Sequence, residues 1–103
     1  MTNSRNKGAS FEREIANLLN NDLKLKNSLK RILEQTREKY LPDLILGRWY
    51  IECKRYGPGN EPLDSWWKQV LESSKGRGIP ALIYKFNRRP IKVRVPLGSI
   101  NPD

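Results

Sequence analysis

Residues 42–54 decide the fold of this chain, and they read Pro-Asp-Leu-Ile-Leu-Gly-Arg-Trp-Tyr-Ile-Glu-Cys-Lys. Two short apolar runs, 44–46 and 49–53, lie on either side of Gly47-Arg48. A pair of this kind between two apolar runs is typical of a hairpin turn. The stretch therefore predicts two antiparallel strands joined by a tight turn.

The polar side chains of this hairpin are predicted to meet at one place. Because side chains alternate along a strand, Glu52 and Lys54 share one face of the second strand. An antiparallel partner brings Asp43, where the first strand begins, close to Glu52 across the ladder. Two carboxylates and a lysine around one point predict a site for a hard divalent cation and a water molecule.

A second interpretation of the same residues requires no site. Asp43 then caps a turn after a proline, and Glu52 and Lys54 form an exposed ion pair, which contributes little to stability. The apolar and aromatic neighbours of Glu52 favour the first interpretation, because an unpaired carboxylate is costly in such surroundings.

Composition limits the class of protein. The 103 residues make one small domain, 1–103, which can bury a single core. Lysine and arginine number 20 against 11 acidic residues, which gives a formal charge of +9. An excess of one sign attracts a polyanion, of which nucleic acid is the commonest. The alternative is a charged surface that only keeps the protein in solution.

Scarce residue types exclude several chemistries. The chain has no histidine, which excludes Ser-His-Asp and Cys-His catalysis and the usual zinc enzymes. The single cysteine, Cys53, forms no internal disulfide and is most simply a small core residue, which fits a reducing compartment. No apolar run approaches the length of a membrane span, and the polar start of the chain lacks a secretory signal. We therefore expect no membrane contact and a cytoplasmic location.

The first part of the chain predicts an arm followed by a helix. Residues 1–8 are polar and basic, and we expect a mobile arm that can touch phosphate. From about Ala9 onward the apolar residues recur at helical spacing, at Phe11, Ile15, Leu18, Leu19 and Leu23. Glu12 lies within this stripe. Either the metal site is close to it, or it only borders the stripe near the positive helix N-terminus.

The last third of the chain predicts a helix and two strands. The helix begins near Leu63, and its apolar stripe contains Trp66 and Trp67, which pack into the core or against a second subunit. Strands follow at 79–86 and 91–95, joined by a turn. In the second of these strands the side chains alternate, with Ile91, Val93 and Val95 inward and Lys92 and Arg94 outward. Basic residues on this edge contact DNA or only discourage aggregation.

The motifs of the chain, taken together, resemble a known superfamily. Pro42-Asp43 followed by Glu52-Cys53-Lys54 looks like the signature of the PD-(D/E)XK nucleases. The surrounding frame is similar to the archaeal-type Holliday junction resolvases and to the small phage and bacterial nucleases related to them. The matching segments occur in the family's order at 7–8, 11–14, 42–44, 50–54 and 78–82. The resemblance implies an α/β, restriction-endonuclease-like fold, in which helices flank a central mixed β-sheet in the order α-β-β-β-α-β-β.

The resemblance also decides between two interpretations of residues 24–40. Their apolar spacing, without glycine or proline, would extend the first helix. In these nucleases, however, a strand follows the first helix and pairs with the metal-binding hairpin. We therefore expect a strand over residues 29–36, against local propensity, because tertiary context can override it.

From the resemblance we expect five catalytic residues, which are Glu12, Asp43, Glu52, Lys54 and Gln69. Asp43 and Glu52 would bind Mg²⁺, or Mn²⁺ in its place, with the backbone carbonyl of Cys53 as a third ligand. Glu12 would hold a water on the metal or complete a second metal position. Lys54 would orient the attacking water or stabilise the charge of the transition state. Gln69 would help to orient the site. The alternative interpretation is that Gln69 is only a surface amide.

The implied reaction is hydrolysis of DNA phosphodiester bonds by a metal-dependent endonuclease that uses no small-molecule cofactor. We expect a Holliday junction resolvase that acts as a homodimer, because two opposed strands of a junction must be cut. The alternatives are a phage-type nuclease for nicked, branched or single-stranded DNA, a non-catalytic DNA-binding module, and a protein-interaction role. The basic residues expected to contact DNA are Lys7, Arg13, Arg31, Arg37, Lys39, Arg55 and Arg77.

Overall fold

The computed structural model of the chain describes residues 4–24 and 42–100. Its elements, in chain order, are helix α1 (Ser4–Leu23), strands β1 (Leu44–Leu46) and β2 (Trp49–Arg55), helix α2 (Asp64–Ser74), strands β3 (Ile79–Lys85) and β4 (Lys92–Arg94), and a 3₁₀ turn (Leu97–Ser99). This order of helices and strands confirms the predicted α/β class. Neither helix of these two ranges is long and apolar enough to cross a membrane.

The four strands form one mixed sheet in the order β1-β2-β3-β4. The hairpin pair β1 and β2 is antiparallel, β2 and β3 run parallel, and β3 and β4 are antiparallel. Parallel neighbours need a long crossover connection, and α2 provides it between β2 and β3. The central mixed sheet with flanking helices is the arrangement expected of a restriction-endonuclease-like fold.

Each helix covers one face of the sheet. On the α1 side the buried residues are Phe11, Ile15, Ala16, Leu44, Ile51, Cys53, Ala81 and Ile83. On the α2 side they are Trp66, Val70, Leu82, Tyr84 and Phe86. The alternation along β2 therefore sends Ile51 and Cys53 towards α1, and it sends Glu52 between them towards α2.

Helix α1 begins earlier than its sequence pattern predicts. It starts at Ser4 rather than near Ala9, so residues 4–8, which we expected in a mobile arm, belong to the helix. The correction has a simple physical reason, because no proline interrupts this segment and a single glycine, Gly8, costs a helix only about 1 kcal/mol. The strand expected over residues 29–36 lies outside the described residues.

Strand β4 follows the predicted alternation only in part. Ile91 and Val95 pack against the core on the α1 side, as predicted. Val93 was predicted to face inward, but 58% of its side chain is exposed. It borders an open apolar recess whose other walls include Leu19 and Trp49. Val93 thus lies on the predicted face but stays uncovered, because β4 is the edge strand and α1 covers the middle of the sheet.

The two adjacent tryptophans of α2 occupy different environments. Trp66 is buried in the core on the α2 side, stacked on Phe86 with ring centroids 5.7 Å apart. Trp67 is half-buried, and the guanidinium carbon of Arg94 lies 4.4 Å from its ring centroid, a cation–π contact. Core packing thus accounts for Trp66, and an arginine from the edge strand covers Trp67.

Gly78 and Gly8 offer a matched test of this packing. A Cβ on Gly78 would lie 2.5 Å from the carbonyl oxygen of Arg48 and 2.6 Å from the Tyr50 ring, whereas a Cβ on Gly8 has nothing within 4 Å. We expect Gly78→Ala to lower the free energy of unfolding by about 2 kcal/mol through overpacking. We expect Gly8→Ala to raise it by about 0.5–1 kcal/mol, because alanine is the better helix former. Urea unfolding followed by circular dichroism measures both, and equal effects would contradict the described approach of Gly78 to β2.

Candidate active site

The hairpin register brings the two predicted metal ligands together. Leu44 pairs with Ile51, so the next position along the ladder places Asp43 opposite Glu52. The Asp43 carboxylate is fixed there by the backbone N–H of Cys53, which donates to Asp43 Oδ2 at 2.8 Å. The short β1 strand thus positions a carboxylate on the edge of β2, as the sequence pattern predicts.

Glu52 is a charged residue placed inside the protein. Its side chain is only 2% exposed, in the middle of β2 and next to Leu82 of β3. The amide Nε2 of Gln69, on α2, donates to Glu52 Oε2 at 3.3 Å. Within the described ranges no buried side-chain nitrogen or oxygen lacks a hydrogen-bond partner, so this carboxyl group is satisfied where it lies. The interpretation of Glu52 as part of an exposed ion pair is therefore wrong.

Burial and neighbouring charges change the acidity of Glu52. Desolvation by burial is the largest cause, and together with the charge and the hydrogen bond of Asp43 it raises the pKa of this carboxyl from 4.5 to about 9. The charge of Glu12 raises the pKa further, and Lys54 opposes the rise. In the metal-free protein the pair of carboxyl groups therefore retains a proton near neutral pH.

Glu12 and Lys54 complete the cluster from two directions. Both side chains are half-buried, Glu12 on α1 and Lys54 near the end of β2. Each is close enough for its charge to act on Glu52, with opposite effects on the pKa. Glu14, two residues on from Glu12, is exposed on α1. The structure thus places Asp43 and Gln69 in contact with Glu52, and it places Glu12 and Lys54 within range of its charge.

Cys53 lies beside the cluster but does not act as a thiolate. The side chain is 4% exposed and packs in the core on the α1 side, as predicted for a small core residue. Burial, with the charges of Asp43 and Glu12, raises the pKa of this thiol well above its ordinary range. A neutral thiol is a poor nucleophile, so we assign no chemical role to this side chain. Cys53 contacts the site through its backbone N–H, which donates to Asp43.

The oxygen donors of the cluster suit a hard cation. Mg²⁺ is usually held by one or two carboxylates, with waters and substrate phosphate oxygens as its other ligands. Asp43 and Glu52 are two such carboxylates, and a cation between them would relieve the repulsion that raises the pKa of Glu52. No group of three or more acidic, cysteine or histidine side chains in the described part of the chain is arranged to hold a metal. Asp43 and Glu52 could supply two carboxylate ligands to a metal that takes its other ligands from water and substrate.

The predicted DNA-contacting residues are spread over the molecule. Arg13 is exposed on α1, and Arg77 is exposed in the turn between α2 and β3. The guanidinium of Arg55 donates to the backbone carbonyls of Tyr56 and Lys85, so this side chain also braces the ends of two strands. Lys7 falls within α1. The other three, Arg31, Arg37 and Lys39, lie outside the described residues.

The row of side chains on the α2 face of β2 continues beyond Lys54. Tyr56 lies just beyond the end of β2 and is half exposed. The alternation that places Glu52 and Lys54 on one face continues to Tyr56, and extending it by two residues identifies this side chain.

Comparison with known proteins identifies a family. The family model described as "Phage putative PDDEXK endonuclease" matches residues 3–101. The match confirms the PD-(D/E)XK superfamily that the motifs predict, and its description names phage nucleases and not Holliday junction resolvases. No curated protein and no solved structure matches the chain.

The raised pKa of Glu52 predicts a stability that depends on pH in metal-free protein. A carboxyl whose pKa is higher in the folded than in the unfolded chain stabilises the fold at low pH. That contribution is lost as the pH rises from 4.5 towards 9. Glu52→Gln keeps a neutral side chain that can accept from Gln69 and donate to Asp43. We therefore expect it to raise the free energy of unfolding by about 1–3 kcal/mol at pH 8 and by little at pH 4.5.

Urea unfolding in EDTA at both pH values measures this difference. Glu72→Gln, which neutralises an exposed carboxylate on α2, is the matched control and should show no comparable dependence on pH. A Glu52→Gln variant that is less stable than the native protein at pH 8 would contradict the raised pKa of Glu52, which makes folding at that pH require the uptake of a proton.

Proposed function

Since this match covers residues 3–101, the chain belongs to the family of phage PDDEXK endonucleases, and we propose that it is a metal-dependent enzyme that hydrolyses phosphodiester bonds within DNA. One observation carries the proposal, namely that Glu52 is buried between Asp43 and Gln69. Keeping a carboxylate in this place costs stability, and active sites are where such costs are commonly found. The formal charge of +9 supports a polyanionic substrate.

Asp43 and Glu52 would hold Mg²⁺, with Mn²⁺ able to replace it. The backbone carbonyl of Cys53 is the proposed third protein ligand, and Glu12 acts on the same site through water or at a second metal position. When bound, the ion supplies Lewis-acid polarisation of the scissile phosphate. Asp43 keeps its position during the reaction because the Cys53 N–H holds one of its oxygens.

Lys54 and Gln69 have different roles beside the carboxylates. The ammonium of Lys54 orients the attacking water or stabilises negative charge as it grows on the phosphate. Gln69 donates to Glu52 and so orients that carboxylate without touching the phosphate itself. Gln69 is in this scheme a positioning residue, and Lys54 is a catalytic one.

We propose that the substrate is branched DNA, and in particular a four-way junction. The support is the order of the motifs along the chain, which is similar to that of the Holliday junction resolvases. Cutting two opposed strands symmetrically requires two active sites, so the proposal includes a homodimer. The expected cytoplasmic location and the absence of any small-molecule cofactor belong to the same proposal.

Replacing one carboxylate tests the hydrolytic function. We expect Asp43→Asn to lower the rate of cleavage about 100-fold or more, because the metal would lose a negatively charged carboxylate ligand. DNA binding in EDTA should stay as tight or become tighter, because one negative charge is removed. Asp64→Asn, at an exposed carboxylate at the start of α2, is the matched control and should cleave like the native protein.

The same assay with several substrates identifies the structure that is cut. End-labelled four-way junction, nicked duplex, single strand and linear duplex of one sequence are compared in Mg²⁺ and in EDTA. Paired symmetric nicks in the junction alone would establish a resolvase, whereas cleavage of nicked or single-stranded DNA would favour the phage-type alternative. If every substrate binds and stays intact in both Mg²⁺ and Mn²⁺, the chain is a DNA-binding module.

Gln69 gives a separate prediction on positioning. We expect Gln69→Leu to lower activity about 10- to 100-fold and to raise the Mg²⁺ concentration needed for half-maximal rate, because Glu52 loses the group that orients it. Gln69→Lys, which can still donate to Glu52, should recover most of the activity. Initial rates across a Mg²⁺ titration measure both, with Glu72→Gln on the same helix as control. A loss of rate that is equal in both Gln69 variants would show that the hydrogen bond is not the cause.

A further inference from the structure

Tyr56 extends the row of side chains that begins at the active site. Strand geometry places Glu52, Lys54 and Tyr56 on one face, with Tyr56 about 13 Å beyond Glu52 along the chain direction. The Tyr56 ring contacts Trp66 and Phe86, which belong to the core on the same side of the sheet. A strand of DNA that lies along this row at Lys54 therefore passes Tyr56.

The backbone around Tyr56 is held in place from several sides. Its N–H donates to the carbonyl of Lys85 at 3.0 Å, which continues the pairing of β2 with β3 past the end of the strand. The next residue, Gly57, accepts from the N–H of Asn87 at 2.9 Å. Gly59 lies directly on Phe86, because a Cβ at this glycine would be 2.6 Å from that ring. The loop after β2 is thus packed onto the turn after β3, and Tyr56 is fixed between them.

Packing uses only part of the Tyr56 ring. Its centroid lies 5.8 Å from that of Trp66 and 6.0 Å from that of Phe86, yet half of the residue remains exposed. The turn that is hydrogen-bonded to this loop carries the exposed Arg88 and Arg89. The exposed part of the Tyr56 ring therefore offers an aromatic surface on a loop that is paired with a basic turn.

We propose that Tyr56 is a stacking platform for an unpaired nucleobase of the DNA strand that enters the Asp43–Glu52–Lys54 cluster. The inference rests on the proposed nuclease function for the path of the DNA. An aromatic ring on a positively charged surface binds single-stranded nucleic acid by stacking, and each stacked base contributes about 1–3 kcal/mol. A base within a duplex is already stacked on its neighbours, so Tyr56 selects DNA that has unpaired bases beside the cleavage position.

Binding in EDTA tests the proposal without cleavage. The two probes are a fully paired duplex and the same duplex with three unpaired nucleotides in one strand. We expect Tyr56→Leu to raise the Kd for the unpaired probe about 5- to 100-fold and to change that for the duplex less than about twofold. Tyr56→Phe, which keeps the ring, should bind both probes like the native protein. Equal losses on both probes, or no loss on either, would overturn the inference.

The salt dependence of DNA binding distinguishes base stacking from charge interactions with phosphate. Tyr56→Leu should leave the slope of log Kd against log salt unchanged, whereas Arg89→Gln should lower it by about 0.7 if that arginine contacts a phosphate of a single strand. A changed slope in Tyr56→Leu would mean that the substitution displaces the surrounding arginines, and it would count against the stacking role.

A measurement on the native protein covers the case in which Tyr56→Leu does not fold. The fluorescent base 2-aminopurine is placed in turn at each unpaired position, and stacking on Tyr56 quenches it on binding. Absence of quenching at every position overturns the proposal. Because these readouts need no hydrolysis, a protein that binds as expected but cuts nothing would refute the nuclease proposal alone. A protein that cuts with no contribution from Tyr56 would refute the stacking proposal alone.

Discussion

The carboxyl group of Glu52 is 2% exposed in the middle of a sheet, and the elements around it are arranged to tolerate it there. Strand β1 brings Asp43 to one side, and α2 brings Gln69 to the other. Desolvation by the same packing raises the pKa of Glu52, and Asp43 raises it further. Burying a carboxyl group costs stability, and this cost is the physical basis for proposing a chemical role for Glu52.

Much of this arrangement could be predicted from the sequence because it follows from short-range rules. A turn pair between apolar runs fixes the hairpin, and alternation fixes which side chains of β2 share a face. Those two rules suffice to place Asp43 opposite Glu52 and to put Lys54 beside them. Gln69 could be proposed from its helix position and the family resemblance, and the hydrogen bond to Glu52 agrees with that placement.

Other features depend on tertiary contacts that no local pattern contains. The start of α1 at Ser4 could not be predicted, since the polar residues there allow both a helix and an arm. Val93 alternates like a buried residue, but its exposure depends on how far α1 extends over the sheet. The raised pKa of Glu52 likewise could not be predicted, because it depends on how deeply the carboxyl is buried and on the charges around it. The face of Tyr56 follows from the alternation of β2, but its contacts with Trp66 and Phe86 depend on the tertiary fold.

Strand β3 contains none of the predicted catalytic residues, yet the site depends on it. It pairs with β2 along the whole length of both strands, from Trp49 with Ile79 to Arg55 with Lys85. The two strands are parallel, so they can pair only after the crossover through α2 is complete. Contacts between residues so far apart in sequence require a long loop to close and so slow folding. During synthesis, both carboxylates and Lys54 are therefore made well before the chain can enclose them. The order of translation leaves the Asp43–Glu52–Lys54 cluster unassembled until β3 has been synthesised.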